Sequence, residues 1–228
     1  MKIFLDTANL EDIKIAKKNN LINGVTTNPT HISKELSNIN NKDIKKSIIK
    51  LIKDIAAVVA PDPVSVEITE LEPKNIYEQA KRISDIASNI VVKIPCYKEY
   101  ISVINNLVKE NIALNITLMF SLTQALLMSK LEVNYISPFI GRLNDIDSDG
   151  IKLIYDIKSM INKYQFKTQI IAASLRSIKD LSQIILSGVD IVTLPNDLLN
   201  KMIDHPLTNI GIKIFENDWK NLKINNFP

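Results

Sequence analysis

Eight short runs of β-branched and apolar residues recur along the chain, with segments of helical period between them. They are Lys2–Leu5, Gly24–Thr26, Val64–Ile68, Ile90–Ile94, Ala113–Thr117, Tyr135–Pro138, Gln169–Ala173 and Ile191–Thr193. Several are nearly continuous apolar stretches, the pattern of parallel strands covered on both faces. Between them, Asp43–Val58, Asn75–Ser88 and Ile151–Tyr164 space their apolar residues at helical period. Strands alternating with helices make βαβ units and a parallel sheet, and eight such strands close an α/β barrel. A doubly wound open sheet is the rival, usually with fewer strands and often a glycine-rich first turn. The expectation is an α/β fold, a (β/α)8 TIM barrel, with residues 1–228 as a single domain. An extra amphipathic helix is expected at Thr208–Lys220, where Phe215 and Trp219 suit either the barrel or a neighbouring subunit.

Composition narrows the function classes. With 228 residues and 46% apolar content the chain has ample material for a core and is not a disordered sequence. No apolar run approaches the ~18–20 residues of a membrane span. Asp6 interrupts the apolar start before any signal-peptide core develops, so a cytoplasmic location is expected. Cys96 is the lone cysteine, which excludes an intrachain disulfide and agrees with a reducing compartment. The net charge of +3 comes without a basic block interleaved with aromatics, so no nucleic-acid partner is expected, while small anionic substrates suit the sign. His31 and His205 are far apart, and the five glycines form neither a dinucleotide fingerprint nor a phosphate loop. Neither a metal nor a bound cofactor is expected.

In an α/β barrel the chemistry lies at the C-terminal ends of the strands. The residues expected there are Asp6, Thr26, Thr27 and Asn28, Glu67, Lys93, Asn115 and Thr117, then Ser137 with Arg142, and Ser174 with Arg176. Two of the chain's three arginines thus fall on one rim, and a guanidinium fork matches phosphate oxygens. Lys93, in Val91-Val92-Lys93-Ile94-Pro95, is flanked by apolar residues; burial there favours the free, nucleophilic amine. The bland alternative is a lysine that snorkels to solvent. Asp6 has its own alternative as the cap of the first helix, a place Thr7 or Asn9 fills equally well. Glu67 is alternatively a charge paired with a lysine, and Arg142 and Arg176 are alternatively paired with Asp145 or Asp147. His31 reads as part of a short helix after Asn28-Pro29. Together, an interior amine and two carboxylates supply what imine-based aldol chemistry requires.

The strand-end segments resemble the transaldolase family, in particular its short single-barrel subfamily. They run from Phe4-Leu5-Asp6-Thr7-Ala8 and Gly24-Val25-Thr26-Thr27-Asn28-Pro29 through Val91-Val92-Lys93-Ile94-Pro95 to Asn115-Ile116-Thr117-Leu118. Ile136-Ser137-Pro138-Phe139-Ile140-Gly141-Arg142, Ala172-Ala173-Ser174-Leu175-Arg176 and His205-Pro206-Leu207-Thr208 continue the series in the family's order. The resemblance implies Lys93 as the Schiff-base lysine and Asp6 as the acid/base for C–C cleavage. It implies that Glu67 and Thr117 hold the water of imine formation and hydrolysis. Thr26, Asn28, Asn115, Ser137 and Phe139 would contact the substrate, and Arg142, Ser174 and Arg176 its phosphate. The implied reaction moves dihydroxyacetone from sedoheptulose 7-phosphate to glyceraldehyde 3-phosphate, giving erythrose 4-phosphate and fructose 6-phosphate. Glu67 and Phe139 resemble the transaldolase type; the fructose-6-phosphate aldolases, which release free dihydroxyacetone, tend to carry Gln and Tyr there. A barrel phosphosugar isomerase or epimerase using the two carboxylates is the rival of another class. Thr30-His31 departs from a more usual Ser-Leu pair. Short family members form pentameric rings, often paired as decamers, so the resemblance also implies a homo-oligomer.

Overall fold

The computed structural model describes residues 1–37 and 43–222. Its strands are β1 (Lys2–Asp6), β2 (Val25–Thr26), β3 (Val64–Glu67), β4 (Ile90–Pro95), β5 (Leu114–Met119), β6 (Tyr135–Pro138), β7 (Gln169–Ala172) and β8 (Ile191–Leu194). They pair in chain order, all parallel, and β8 returns to β1 to close the barrel. Closure settles the choice against an open doubly wound sheet, which keeps two free edges. The helices are α1 (Leu10–Lys18), α2 (Pro29–Glu35), α3 (Ile44–Val59), α4 (Pro73–Ser84), α5 (Ile101–Lys109), α6 (Leu122–Lys130), α7 (Ile140–Asn144), α8 (Gly150–Tyr164), α9 (Ile178–Leu186), α10 (Asn196–Lys201) and α11 (Pro206–Asn221). The helix expected to run to Ser88 stops at Ser84. Beyond it Asn89 Nδ2 donates to the carbonyls of Ala56 (3.0 Å) and Asp62 (2.8 Å), which turns the chain into β4.

Side chains alternate along each strand between the surrounding helices and the barrel interior. Leu5, Val25, Val66, Val92, Ile94, Ile116, Ile136 and Val192 face outward and join Ile13, Ile55, Ile76, Ile104, Ile157 and Ile184 of the helices in one continuous core. Each such residue, fully buried, contributes about 1.5–3 kcal/mol. The interior differs from the sequence expectation of strands apolar on both faces. Its floor is apolar, formed by Phe4, Ile171 and Ile191 with Tyr135 against them, but the layer above is polar. There Asn115 Nδ2 donates to Ser65 Oγ at 3.1 Å, linking β5 to β3, and Thr26 Oγ1 meets Thr193 Oγ1 at 2.6 Å, linking β2 to β8. Each contact skips a strand, a path that runs only through the inside of the barrel.

No residue of α11 is buried, and Leu207, Ile210, Ile212, Ile214 and Phe215 are all exposed, Phe215 to 74%. Within one chain the helix therefore does not fold over the barrel as a lid. No helix among the described residues is long and apolar enough to cross a membrane.

Candidate active site

Strand register sets the first layer of the site. Glu67 aligns with Lys93 and Lys93 with Asn115, so one level of the barrel carries all three. Asp6 aligns with Thr26 on the other side. Lys93 is 4% exposed. Its Nζ lies 3.0 Å from Glu67 Oε2 and donates to the Thr27 carbonyl at 3.1 Å. The amine is thus interior and does not snorkel, and the carboxylate beside it is placed to take the proton that a nucleophilic amine must lose.

Asp6 ends β1 with its carboxylate free of helix capping. That duty falls to Asn9, whose Oδ1 accepts from the Asp12 N–H at 2.9 Å. Asp6 Oδ1 instead accepts from Thr26 Oγ1 at 2.8 Å and faces His31 Nε2 at 3.6 Å. Burial pushes the Asp6 carboxyl up, but the His31 contact, the Lys93 charge and the Thr26 hydroxyl outweigh it and hold the group below its ordinary value. Asp6 is therefore ionised at neutral pH, as a general base must be. Cys96, three residues beyond Lys93, has its thiol pushed up to about 11 by burial and stays protonated.

A cavity of about 230 Å³ opens over these groups. Of the residues expected from the sequence, Asp6, Thr26, Asn28, Lys93, Ser137, Phe139, Arg142, Ser174 and Arg176 line it. Glu67, Asn115 and Thr117 do not; they stand behind the lining. Asn115 is fully buried, donating to Ser65 and accepting from Ser137 Oγ at 2.7 Å, so it holds the Ser137 hydroxyl in place. Thr117 Oγ1 is buried without a hydrogen-bond partner among the described residues, which is uncommon for a buried hydroxyl. Asn28 Oδ1 caps α2 by accepting from the His31 N–H at 2.9 Å, leaving its amide nitrogen for other partners. Thr193, which was not singled out by sequence, also belongs to the site, and Thr27 serves it through its backbone carbonyl. Thr193 shows no motif of its own, and a backbone carbonyl has no sequence signal.

The rim holds the arginines differently. Arg142 stacks its guanidinium on the Phe139 ring, 5.2 Å from the centroid. Arg176 donates through both terminal nitrogens to Asp145, with Nη2 to Oδ2 at 2.7 Å, as the ion-pair alternative anticipates. That pair is about half exposed, and exposed pairs contribute at most about 1 kcal/mol, so it yields readily to a dianionic competitor. Gly141 lets β6 and β7 close the rim: a Cβ there would lie 2.2 Å from the Ser174 carbonyl oxygen. Ser174 itself sits at φ 63°, in the left-handed region, which aims its hydroxyl from the end of β7. A larger cavity, about 790 Å³, lies outside the barrel between α2, α3 and α4; its walls are mainly apolar, with Ile32, Ile48 and Ile52 among them. Glu67, Thr69, Glu70, Gln79 and Arg82 also line it, but neither Lys93 nor Asp6 does.

Fold and site define a class, the parallel eight-stranded barrel with a buried lysine amine and two carboxylates at the C-terminal ends of its strands. The family described as Transaldolase/Fructose-6-phosphate aldolase matches residues 3–226. A probable transaldolase of Dictyoglomus turgidum is 44% identical over 220 residues, covering 96% of this chain and 98% of that protein. One from Nitrosopumilus maritimus is 42% identical over 227 residues, covering 99% and 98%. A third, from Dehalococcoides mccartyi, is 43% identical over 223 residues, covering 98% and 100%. The chain belongs to the transaldolase/fructose-6-phosphate aldolase family.

Proposed function

We propose that the chain is a transaldolase that carries a dihydroxyacetone unit between sugar phosphates on Lys93. The observation that supports this most strongly is a dry amine 3.0 Å from Glu67, opening on the cavity that Asp6 lines. Glu67 takes a proton from Nζ, which attacks the C2 carbonyl of sedoheptulose 7-phosphate; the carbinolamine then loses water to give an iminium. Thr117 Oγ1, buried and unpaired, and Glu67 are the groups that hold that water. Asp6 removes the C4 hydroxyl proton, the C3–C4 bond breaks, and its electrons neutralise the iminium as an enamine while erythrose 4-phosphate leaves. The enamine carbon attacks the aldehyde of glyceraldehyde 3-phosphate, Asp6 returns its proton to the new alkoxide, and water releases fructose 6-phosphate. Arg142, Arg176 and Ser174 hold the phosphate, which displaces Asp145 from Arg176.

Transfer is favoured over release of free dihydroxyacetone by Phe139, which lines the cavity without the hydroxyl a tyrosine would bring to the imine. Borohydride added with fructose 6-phosphate is expected to fix a three-carbon adduct on Lys93, read by peptide mass spectrometry. A label on any other residue would sink the assignment, and steady cleavage of fructose 6-phosphate without an acceptor would make the enzyme an aldolase. We further propose a homo-oligomer, pentameric or decameric, in which neighbouring copies cover the apolar residues of α11, since a helix this apolar and unburied marks an interaction surface.

A further inference from the structure

His31 has no place in the reaction as written, yet it stands against the base. It lies in the first turn of α2, whose start is fixed by the Asn28 cap on its own N–H. From there Nε2 reaches to 3.6 Å from Asp6 Oδ1, with both side chains largely withdrawn from solvent, at 29% and 25% exposure. That separation is longer than a formed hydrogen bond, and such contacts commonly tighten when substrate binds. Oδ1 is already held by Thr26, itself braced by Thr193. Among the described residues Oδ2 has no hydrogen-bond partner and is the oxygen left for the substrate hydroxyl.

The surroundings determine what a charge on His31 would act on. Lys93 and its partner Glu67 lie on the barrel side, and Arg142 and Arg176 stand at the rim of the same cavity. Glu35, four residues along α2, takes both hydrogen bonds of the Asn9 amide, at 3.4 and 3.3 Å. Glu67 and Glu35 thus have partners of their own, and the carboxylate directly before the imidazole is Asp6. Histidine is the side chain that changes charge between pH 5 and 8.

We infer that His31 is a positioning residue for Asp6: set against Oδ1 by the Asn28 cap, its imidazole favours the ionised carboxylate and keeps C–C cleavage running in mildly acidic conditions. This rests on the Schiff-base reading. The direction of the Asp6 shift agrees, since the His31 contact is the first of the influences that hold the carboxyl down against burial, ahead of the Lys93 charge and the Thr26 hydroxyl.

The test compares wild type with His31→Gln and His31→Leu. Both variants keep the Asn28 cap and the Asn9–Glu35 tie that hold α2. Two reactions are followed across pH: kcat/KM for transfer from fructose 6-phosphate to erythrose 4-phosphate, which needs Asp6, and borohydride trapping of dihydroxyacetone on Lys93, which does not break a carbon–carbon bond. In both variants the acid limb of transfer is expected to move to higher pH, so that at a fixed pH on that limb transfer is down by up to roughly fivefold, the order of a partly exposed charge pair. Trapping is expected to keep the wild-type pH dependence in all three proteins. Superimposable transfer profiles, or equal shifts in transfer and trapping, would overturn the role of His31. Failure of the wild type to be trapped at all would overturn the Schiff-base reading, and the role of His31 with it.

Discussion

Replacing Lys93 by methionine keeps a long, flexible side chain and removes the nucleophile. Turnover is then expected to fall by about 10³-fold or more. The same change strands Glu67, which is 13% exposed, as a carboxylate without its cation, so a thermal melt should show lower stability as well. Asp6→Asn separates the two halves of the reaction. The asparagine oxygen still accepts from Thr26, so the site keeps its shape while cleavage drops by about 10²–10⁴-fold. Dihydroxyacetone should still be trapped on Lys93, and loss of trapping would place Asp6 in imine formation instead. Lys93, Asp6 and Glu67 were legible because each is a charge interrupting an apolar strand. His31 was not: its meeting with Asp6 depends on where the Asn28 cap starts α2, and Asn28 was read only for its amide facing the substrate. The hydrogen bonds of Asn115 to Ser65 and Ser137 were not legible either, since the one to Ser65 joins strands that are not neighbours.

Among the elements, the strands were read within two residues at each end, because each is a short, largely apolar and β-rich run set between segments of helical period. The irregularities were not visible. In β5 the register shifts between Ile116 and Met119, with Leu118 in the left-handed region at φ 52°. Nothing in Asn115-Ile116-Thr117-Leu118-Met119 announces that bulge, since leucine is a poor choice for a positive φ. The junction of β6 and β7 is more revealing. The Ile140 N–H donates to the Ala173 carbonyl and the Gly141 N–H to the Ser174 carbonyl, both at 3.0 Å, so the start of α7 and the end of β7 move as one. Gly141→Ala drives a methyl into the Ser174 carbonyl and towards Arg176 Nε, 2.9 Å away. A loss of about 1–3 kcal/mol of stability is expected, together with a raised KM for phosphorylated substrates. If KM for the phosphorylated donor stays at its wild-type value, the phosphate lies elsewhere.

At the scale of the whole molecule, the barrel was legible in the rhythm of its strands, but the fate of α11 was not. Amphipathic patterning states that a face will be covered, and is silent on whether the cover comes from the same chain. The exposure of Ile210, Ile214 and Phe215 argues that it comes from another. Phe215→Glu with Ile210→Glu is expected to lower the mass measured by light scattering while leaving the circular dichroism of the barrel unchanged. A particle of unchanged mass would show that α11 does not make the contact.

Thr26 touches Asp6 on one side and Thr193 on the other, so the working site is assembled from both extremes of the chain. A nascent polypeptide still lacking β8 has an open edge on β1, and its lysine has emerged long before the last wall of its pocket. Contacts of such high sequence separation form late and slow the search for the native topology. A half-made chain on the ribosome thus carries the Lys93 amine without the enclosure that β8 completes.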